Sequence, residues 1–230
     1  MGRVTERAAL TVTLGIAALF GFAATASALP VANPSFESPI VAPGGSSTTI
    51  TGWTNGSPGG GVLGPDPTEF TAPNGSQVAF TGPGNGAIIY QDTGIPVTAG
   101  ATYTLSAELG QLAQADPPLY EYRLLIGYGG HDLATTTVFT PSGYISNGGI
   151  LPGTFALVSN TGTAPAGASG DLLIFLEGGN FSPLGVSGRA LWDSVTLSVA
   201  TIPEPGSLAL LSAGLAGLAV TRRRKPARNV

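Results

Sequence analysis

In the central part of the chain, apolar side chains recur at every second position, in short runs. Tyr103, Leu105, Ala107 and Leu109 share one phase of Thr102–Leu109, and Thr104, Ser106 and Glu108 share the other. Tyr122, Leu124 and Ile126 repeat the pattern. A period of two marks a strand with one buried face. The pattern predicts strands over Thr48–Trp53, Gln77–Thr81, Ala87–Asp92, Thr102–Leu109, Tyr120–Gly127, Ala134–Phe139, Thr154–Val158, Asp171–Glu177 and Arg189–Val199. Turn signals separate them, among them Pro43-Gly44-Gly45, Asn74-Gly75, Ala99-Gly100 and Gly178-Gly179-Asn180. The glycine-rich stretch Gly56–Gly64 and the segment Ser142–Gly149 read as mobile loops. No helical periodicity and no internal repeat is visible in this region. Many short alternating strands predict an all-β fold, a β-sandwich.

The two ends break the pattern, because their apolar runs are continuous. At the N-terminus Arg3 and Arg7, with Glu6 between them, precede an apolar stretch from Ala8 to Ala24. Ala26-Ser27-Ala28 is a small-x-small cleavage signal. The expectation is a signal peptide over residues 1–28, removed by signal peptidase after Ala28. At the other end Pro203-Glu204-Pro205 precedes an uncharged run, Leu208 to Val220. The basic cluster Arg222, Arg223, Arg224 and Lys225 follows, with Arg228 just beyond. The first Pro stops a strand and the second suits the first turn of a helix. The basic cluster would hold that end in the cytoplasm. The run is short against the roughly 20 apolar residues a bilayer requires, which predicts a transient membrane passage by a C-terminal transmembrane helix.

Pro203, Glu204 and Pro205, the apolar helix and the arginine cluster together are similar to the PEP-CTERM sorting signal of Gram-negative bacteria. The resemblance covers residues 201–230. It implies processing by exosortase, a membrane-embedded cysteine peptidase, and delivery of the body to the cell surface or extracellular matrix. The precursor would sit in the inner membrane through its C-terminal helix until processed.

Between the signals, residues 29–200 make one domain's worth of chain. Only Arg123 and Arg189 of the nine basic residues lie there, against eleven of the thirteen acidic ones. So acidic a body excludes nucleic acid as a partner, since that requires basic patches. It suits solubility and divalent cations. There is no cysteine, hence no disulfide framework and no thiolate metal site.

The body also resembles galactose-binding-like jelly rolls, the fold of many carbohydrate-binding modules. Asn33-Pro34-Ser35-Phe36-Glu37 is similar to their opening motif, Gly52-Trp53 to their G-W, and Gly75-Ser76-Gln77-Val78-Ala79-Phe80 and Ile89-Tyr90-Gln91 to the strands that follow. Gly100-Ala101-Thr102-Tyr103-Thr104-Leu105-Ser106 and Trp192-Asp193-Ser194-Val195-Thr196-Leu197 are similar to a central and the closing strand. The resemblance implies a jelly-roll β-sandwich; fold alone does not name a ligand.

Catalytic machinery is hard to find. The sole histidine, His131, sits in the turn-like Tyr128-Gly129-Gly130-His131-Asp132, and no G-x-S-x-G elbow accompanies it. Asp116, Glu121 and Asp132 are paired-carboxylate candidates by count only. The expectation is a non-enzymatic exported surface or matrix protein with exopolysaccharide as its candidate ligand. The rivals are a secreted polysaccharide hydrolase or lyase and a purely structural matrix protein. Tyr120 and Tyr128 are the candidate sugar-stacking rings; the bland alternative places strand aromatics in the core. In the last strand Leu191, Asp193, Val195, Leu197 and Val199 share a phase, which points Asp193 with the apolar set. A buried carboxylate needs a partner. Glu37 is expected beside it if the first and last strands meet, and calcium is the expected ion. The resemblance implies the same site, with the carbonyl of Asn33 as a further ligand. The alternatives are a bulge that turns Asp193 outward, or an ion pair with Arg123.

Overall fold

A computed structural model describes residues 26–56, 59–66, 68–82, 86–113, 121–146, 149–179 and 188–200. The predicted signal-peptide helix, the C-terminal helix, Pro203, Glu204, Pro205 and the basic cluster Arg222–Lys225 lie outside them, as do Tyr120 and Asp116.

The described residues form strands and no helix. In chain order they are β1 (Ala26–Leu29), β2 (Ser46–Ser47), β3 (Thr54–Asn55), β4 (Gly60–Leu63), β5 (Val78–Thr81), β6 (Ala87–Pro96), β7 (Thr102–Gly110), β8 (Glu121–Tyr128), β9 (Thr137–Val138), β10 (Ile145–Ser146), β11 (Phe155–Thr163), β12 (Asp171–Gly179) and β13 (Ala190–Ala200). One antiparallel sheet runs β11-β7-β13-β5-β4-β2, with β1 also paired to β13. The other runs β10-β8-β12-β6-β3, with β9 also on β8. The result is the jelly-roll sandwich expected.

The alternating residues make the inter-sheet core. Tyr103, Leu105, Ala107 and Leu109 of β7 face Tyr122, Leu124 and Ile126 of β8 and Leu172, Ile174 and Leu176 of β12. Phe36 and Trp53 close one end with ring centroids 5.2 Å apart. Each fully buried large side chain contributes about 1.5–3 kcal/mol relative to exposure. Trp192, also fully buried, donates its indole N–H to Thr81 Oγ1 at 2.9 Å.

Several elements differ from the sequence reading. The Gly56–Gly64 stretch holds a buried strand, β4. A Cβ on Gly61 would lie 2.2 Å from the Ser47 carbonyl oxygen, so glycine here permits strand packing instead of marking a loop. Thr48–Trp53 is a turn joined by an Ile50–Trp53 bridge between β2 and β3. Ala134–Phe139 shrinks to the two-residue β9, because Asp132 and Thr135 tie the preceding residues into a turn. The Ser142–Gly149 segment contains β10. β1 was not expected: Ala26, Ser27, Ala28 and Leu29 pair with Ala200, Val199, Ser198 and Leu197. The cleavage motif Ala26-Ser27-Ala28 therefore forms most of this strand.

The phase expected for β13 also fails, for a local reason. Its register to β7 shifts between Asp193 and Thr196, and Ser194 has φ 52°. This bulge inverts the phase. Val195 and Leu197 join Trp192 in the inter-sheet core, whereas Leu191 belongs to a separate outer cluster with Leu63, Phe70, Val78 and Phe80. Asp193 shares the phase of Leu191, not that of Val195.

Candidate functional site

Strand β12 is central to its sheet, bonded to β8 on one side and β6 on the other. Its segment Leu172-Leu173-Ile174-Phe175-Leu176 is apolar in both phases and fully buried, so both faces are covered. The outer face carries Leu173 and Phe175 of β12, Leu125 of β8 and Ile88 of β6, with Tyr90, Leu133 and Val138 packed against them. The Tyr90 and Phe175 rings lie 5.5 Å apart.

One acid ends this apolar floor. Glu177 follows Phe175 in the outer phase, opposite Arg123 of β8 and Ile88 of β6. Its side chain is 2 % exposed. Arg123 Nε donates to Glu177 Oε2 at 2.5 Å, and the Tyr144 hydroxyl donates to Oε1. The guanidinium carbon lies 4.3 Å from the Tyr144 ring centroid, and Arg123 Nη1 donates to the Ser142 carbonyl at 3.3 Å. The segment leading into β10 thus lies over the carboxylate. Burial, then the hydrogen bond to Glu177, push the Tyr144 phenol above its ordinary pKa, so it keeps its proton and remains a donor. A buried carboxylate is tolerable only when paired, and removing a partner is costly. The trio can hold a charged carboxylate against an apolar surface, ready to accept a proton or to oppose positive charge.

A second acidic pair lies on the other sheet. Asp193 is fully buried, and its oxygens accept the N–H groups of Asn74, at 2.7 Å, and Ser194, at 2.6 Å. Glu37 Oε1 accepts the N–H groups of Ser76 and Gln77, at 2.9 and 2.8 Å, and Oε2 accepts the Ser76 hydroxyl. Desolvation pushes the Asp193 carboxyl up to about 6; backbone donors oppose the rise, and the charges of Glu37 and Glu108 add to it. Both carboxylates are held by the loop 74–77, and the charge of Glu37 is felt at Asp193. The bulge alternative is met in part, since Asp193 turns out of the inter-sheet core to the phase of Leu191 yet stays buried, and Arg123 pairs with Glu177. Arg189 instead lies over the Phe80 ring, at 5.0 Å. The donors these two residues offer are all oxygens, the kind a hard cation takes. Each carboxylate oxygen offers two lone pairs, so Glu37 Oε2 and both Asp193 oxygens keep one. No group of three or more His, Cys, Asp or Glu able to hold a metal occurs among the described residues, so carbonyls and water would complete a shell. The Asn33 carbonyl accepts the Phe36 N–H at 3.1 Å, with both residues at positive φ.

Of the sugar-stacking candidates, Tyr128 is half-buried, its ring 6.2 Å from that of Phe139. Tyr122 packs in the core against Trp192. His131 and Asp132 lie on an exposed turn. The sequence reading missed Glu177 and Tyr144 as site residues. The two-phase apolar run before Glu177 was the available signal; nothing in the sequence joined Tyr144 to it.

Comparison with known proteins adds two matches. Residues 27–198 match the HpiC1-like family, described as HpiC1 cyclase. Residues 201–225 match the PEP-CTERM protein-sorting motif, which makes this an exported protein sorted by an exosortase-type system. Among curated proteins no match was found. Among solved structures, the Stig cyclase Fisc from Fischerella sp. TAU, in complex with a pyrrolidinylidene-indole, is 19% identical. The alignment covers 78% of this chain and 100% of that one, with a TM-score of 0.61. An apo cyclase from Fischerella sp. gives 20%, 77%, 98% and 0.60. A CBM22 tandem domain from Paenibacillus barcinonensis gives 15%, 78%, 48% and 0.50. These structural likenesses are of fold. The family match corrects the expectation of a non-enzymatic body, since its family is that of a cyclase.

Proposed function

Because the chain belongs to the HpiC1-like family, we propose that its exported body is a cyclase working on the outer face of the β12 sheet, with Glu177 as its acid–base group. The observation that carries this reading is the single carboxylate, 2 % exposed, that ends an apolar, aromatic floor under Arg123 and Tyr144. An isomerising ring closure gains and loses no atoms. A proton delivered to one carbon is recovered from another, and one carboxyl group can perform both transfers. Arg123 lies against the carboxylate, which would oppose positive charge in a closing substrate and take up the proton it loses. The Fischerella relative was crystallised with an indole, and a flat aromatic substrate of that kind would stack on the half-buried Tyr90, whose ring lies against the buried Phe175. The test is conversion of unsaturated indole substrates by the secreted protein, followed by mass-resolved chromatography, beside Glu177→Gln.

Delivery to the cell surface or matrix, after signal-peptidase cleavage and a transient inner-membrane stage, completes the proposal. In it Glu37 and Asp193 hold a structural calcium that bridges the opening motif to β13, with the Asn33 carbonyl as a further ligand. The ion would neutralise two adjacent carboxylates and take no part in the chemistry. Exopolysaccharide is kept as a surface ligand, with Tyr120 and Tyr128 as its candidate rings. The support is the fold shared with the CBM22 tandem domain. Retention on polysaccharide gels, lowered by Tyr128→Ala without loss of thermal stability, is its test.

A further inference from the structure

A peptidase cuts a bond only when the chain around it can leave its neighbours and enter the enzyme's cleft, so a bond inside a paired strand is spared until the strand opens. The expected signal-peptidase bond, Ala28–Leu29, lies inside β1. Both of its residues pair with β13, Ala28 with Ser198 and Leu29 with Leu197. Ala26 and Ser27, which complete the cleavage motif, pair with Ala200 and Val199.

The residues beyond the bond are held as well. Leu29 and Val31 pack against the inter-sheet core. The Ala32 N–H donates to Gln91 Oε1 at 2.9 Å, and its carbonyl accepts from Gln91 Nε2 at 3.0 Å and from Trp53 Nε1 at 2.9 Å. Gln91 is itself buried, on β6 of the opposite sheet. Freeing the bond therefore means undoing contacts to both sheets. Chain order decides when these contacts form. β13 is the last of the described strands, so an exported chain presents Ala28 long before the partner of β1 exists.

We propose that the pairing of β1 with β13 is an autoinhibitory contact over the signal-peptidase site. Water can hydrolyse the Ala28–Leu29 amide, to the Ala28 carboxylate and the Leu29 amine, only before β13 docks. A chain that folds first keeps residues 1–28. The inference rests on cleavage after Ala28 and is independent of the cyclase reading.

The test incubates the whole precursor, purified in mild detergent, with bacterial signal peptidase, and follows the loss of residues 1–28 by intact mass. Leu197 is buried opposite Leu29, so Leu197→Asp keeps β13 from docking and leaves the cleavage motif unaltered. It should be cut at least about tenfold faster than the folded parent. A double variant locks the strand instead. The chain has no cysteine, and Ser27 stands directly opposite Val199, a placement that suits a disulfide. Ser27→Cys with Val199→Cys spares Ala26 and Ala28. When oxidised it should be cut at least about tenfold more slowly than the parent, and reductant should restore the parent's rate. A folded parent cut as fast as Leu197→Asp, an oxidised double variant cut as fast as the reduced one, or cysteines that fail to join would overturn the proposal. A Leu197→Asp precursor that is not cut after Ala28 would overturn it together with the cleavage site.

Discussion

Tyr144 donates its phenolic proton to Glu177, 33 residues further along the chain, and both stand beside Arg123. The contact brings the segment before β10 down onto the central strand of its sheet. Burial and the neighbouring carboxylate raise the Tyr144 pKa above the ordinary value of 10.0. The folded protein therefore holds this proton at a pH where the unfolded chain releases it, and stability falls as pH climbs past 10. Tyr144→Phe should weaken the fall in alkaline unfolding curves. A variant with the same alkaline slope as the parent would contradict the placement of this phenol.

The bulge after Asp193 predicts an unusual substitution profile. Ser194 sits in the left-handed region, at φ 52°, which costs a non-glycine residue roughly 1–2 kcal/mol. Ser194→Gly should match or exceed the parent's stability, by up to about 1 kcal/mol. Ser194→Val should lose more than that. Chemical denaturation of the three proteins checks the order, and equal stability of Val and Gly variants would argue against the bulge.

Calcium should raise the unfolding midpoint of the secreted protein, and a chelator should reverse the rise. Asp193→Asn removes one of the two carboxylates and should abolish the response. Because burial, with the charges of Glu37 and Glu108, raises the Asp193 pKa to about 6 against its backbone donors, the same variant should be more stable than the parent in chelator at neutral pH. Identical midpoints in calcium and in chelator would remove the ion from the account.

Processing should leave extracellular protein that begins at Leu29 and lacks the tail beyond Pro203-Glu204-Pro205. Intact-mass measurement decides it. Recovery of secreted chains that keep Arg222–Arg224 would contradict sorting by this signal.

The fold was legible wherever side chains alternate. Tyr103–Leu109 announced β7 and its inward face without help from any other element. β4 was hidden, because glycines at 60 and 61 look like a loop until the close approach of Ser47 is known. Phase could not be carried along β13, since one inserted residue at Ser194 reverses every side chain beyond it. The acidic pair was half legible: Glu37 and Asp193 are both tied to the loop 74–77, which no spacing in the chain discloses. The site around Glu177 was least legible, because it forms only when β8, β12 and the segment before β10 come together. The acid itself stood in plain view at the end of an apolar strand.

The most direct test of the account is turnover of unsaturated indole substrates by the secreted parent and by Glu177→Gln. The amide keeps the shape and can still accept from Tyr144, but it cannot carry the proton. The parent should form a cyclised isomer of unchanged mass. The variant should bind the same substrates, by intrinsic fluorescence, and lose at least about a hundredfold in rate, the usual scale for an acid–base group. A folded Glu177→Gln variant that cyclises as fast as the parent would contradict the assignment. A parent that neither binds nor converts such substrates would contradict the proposed chemistry.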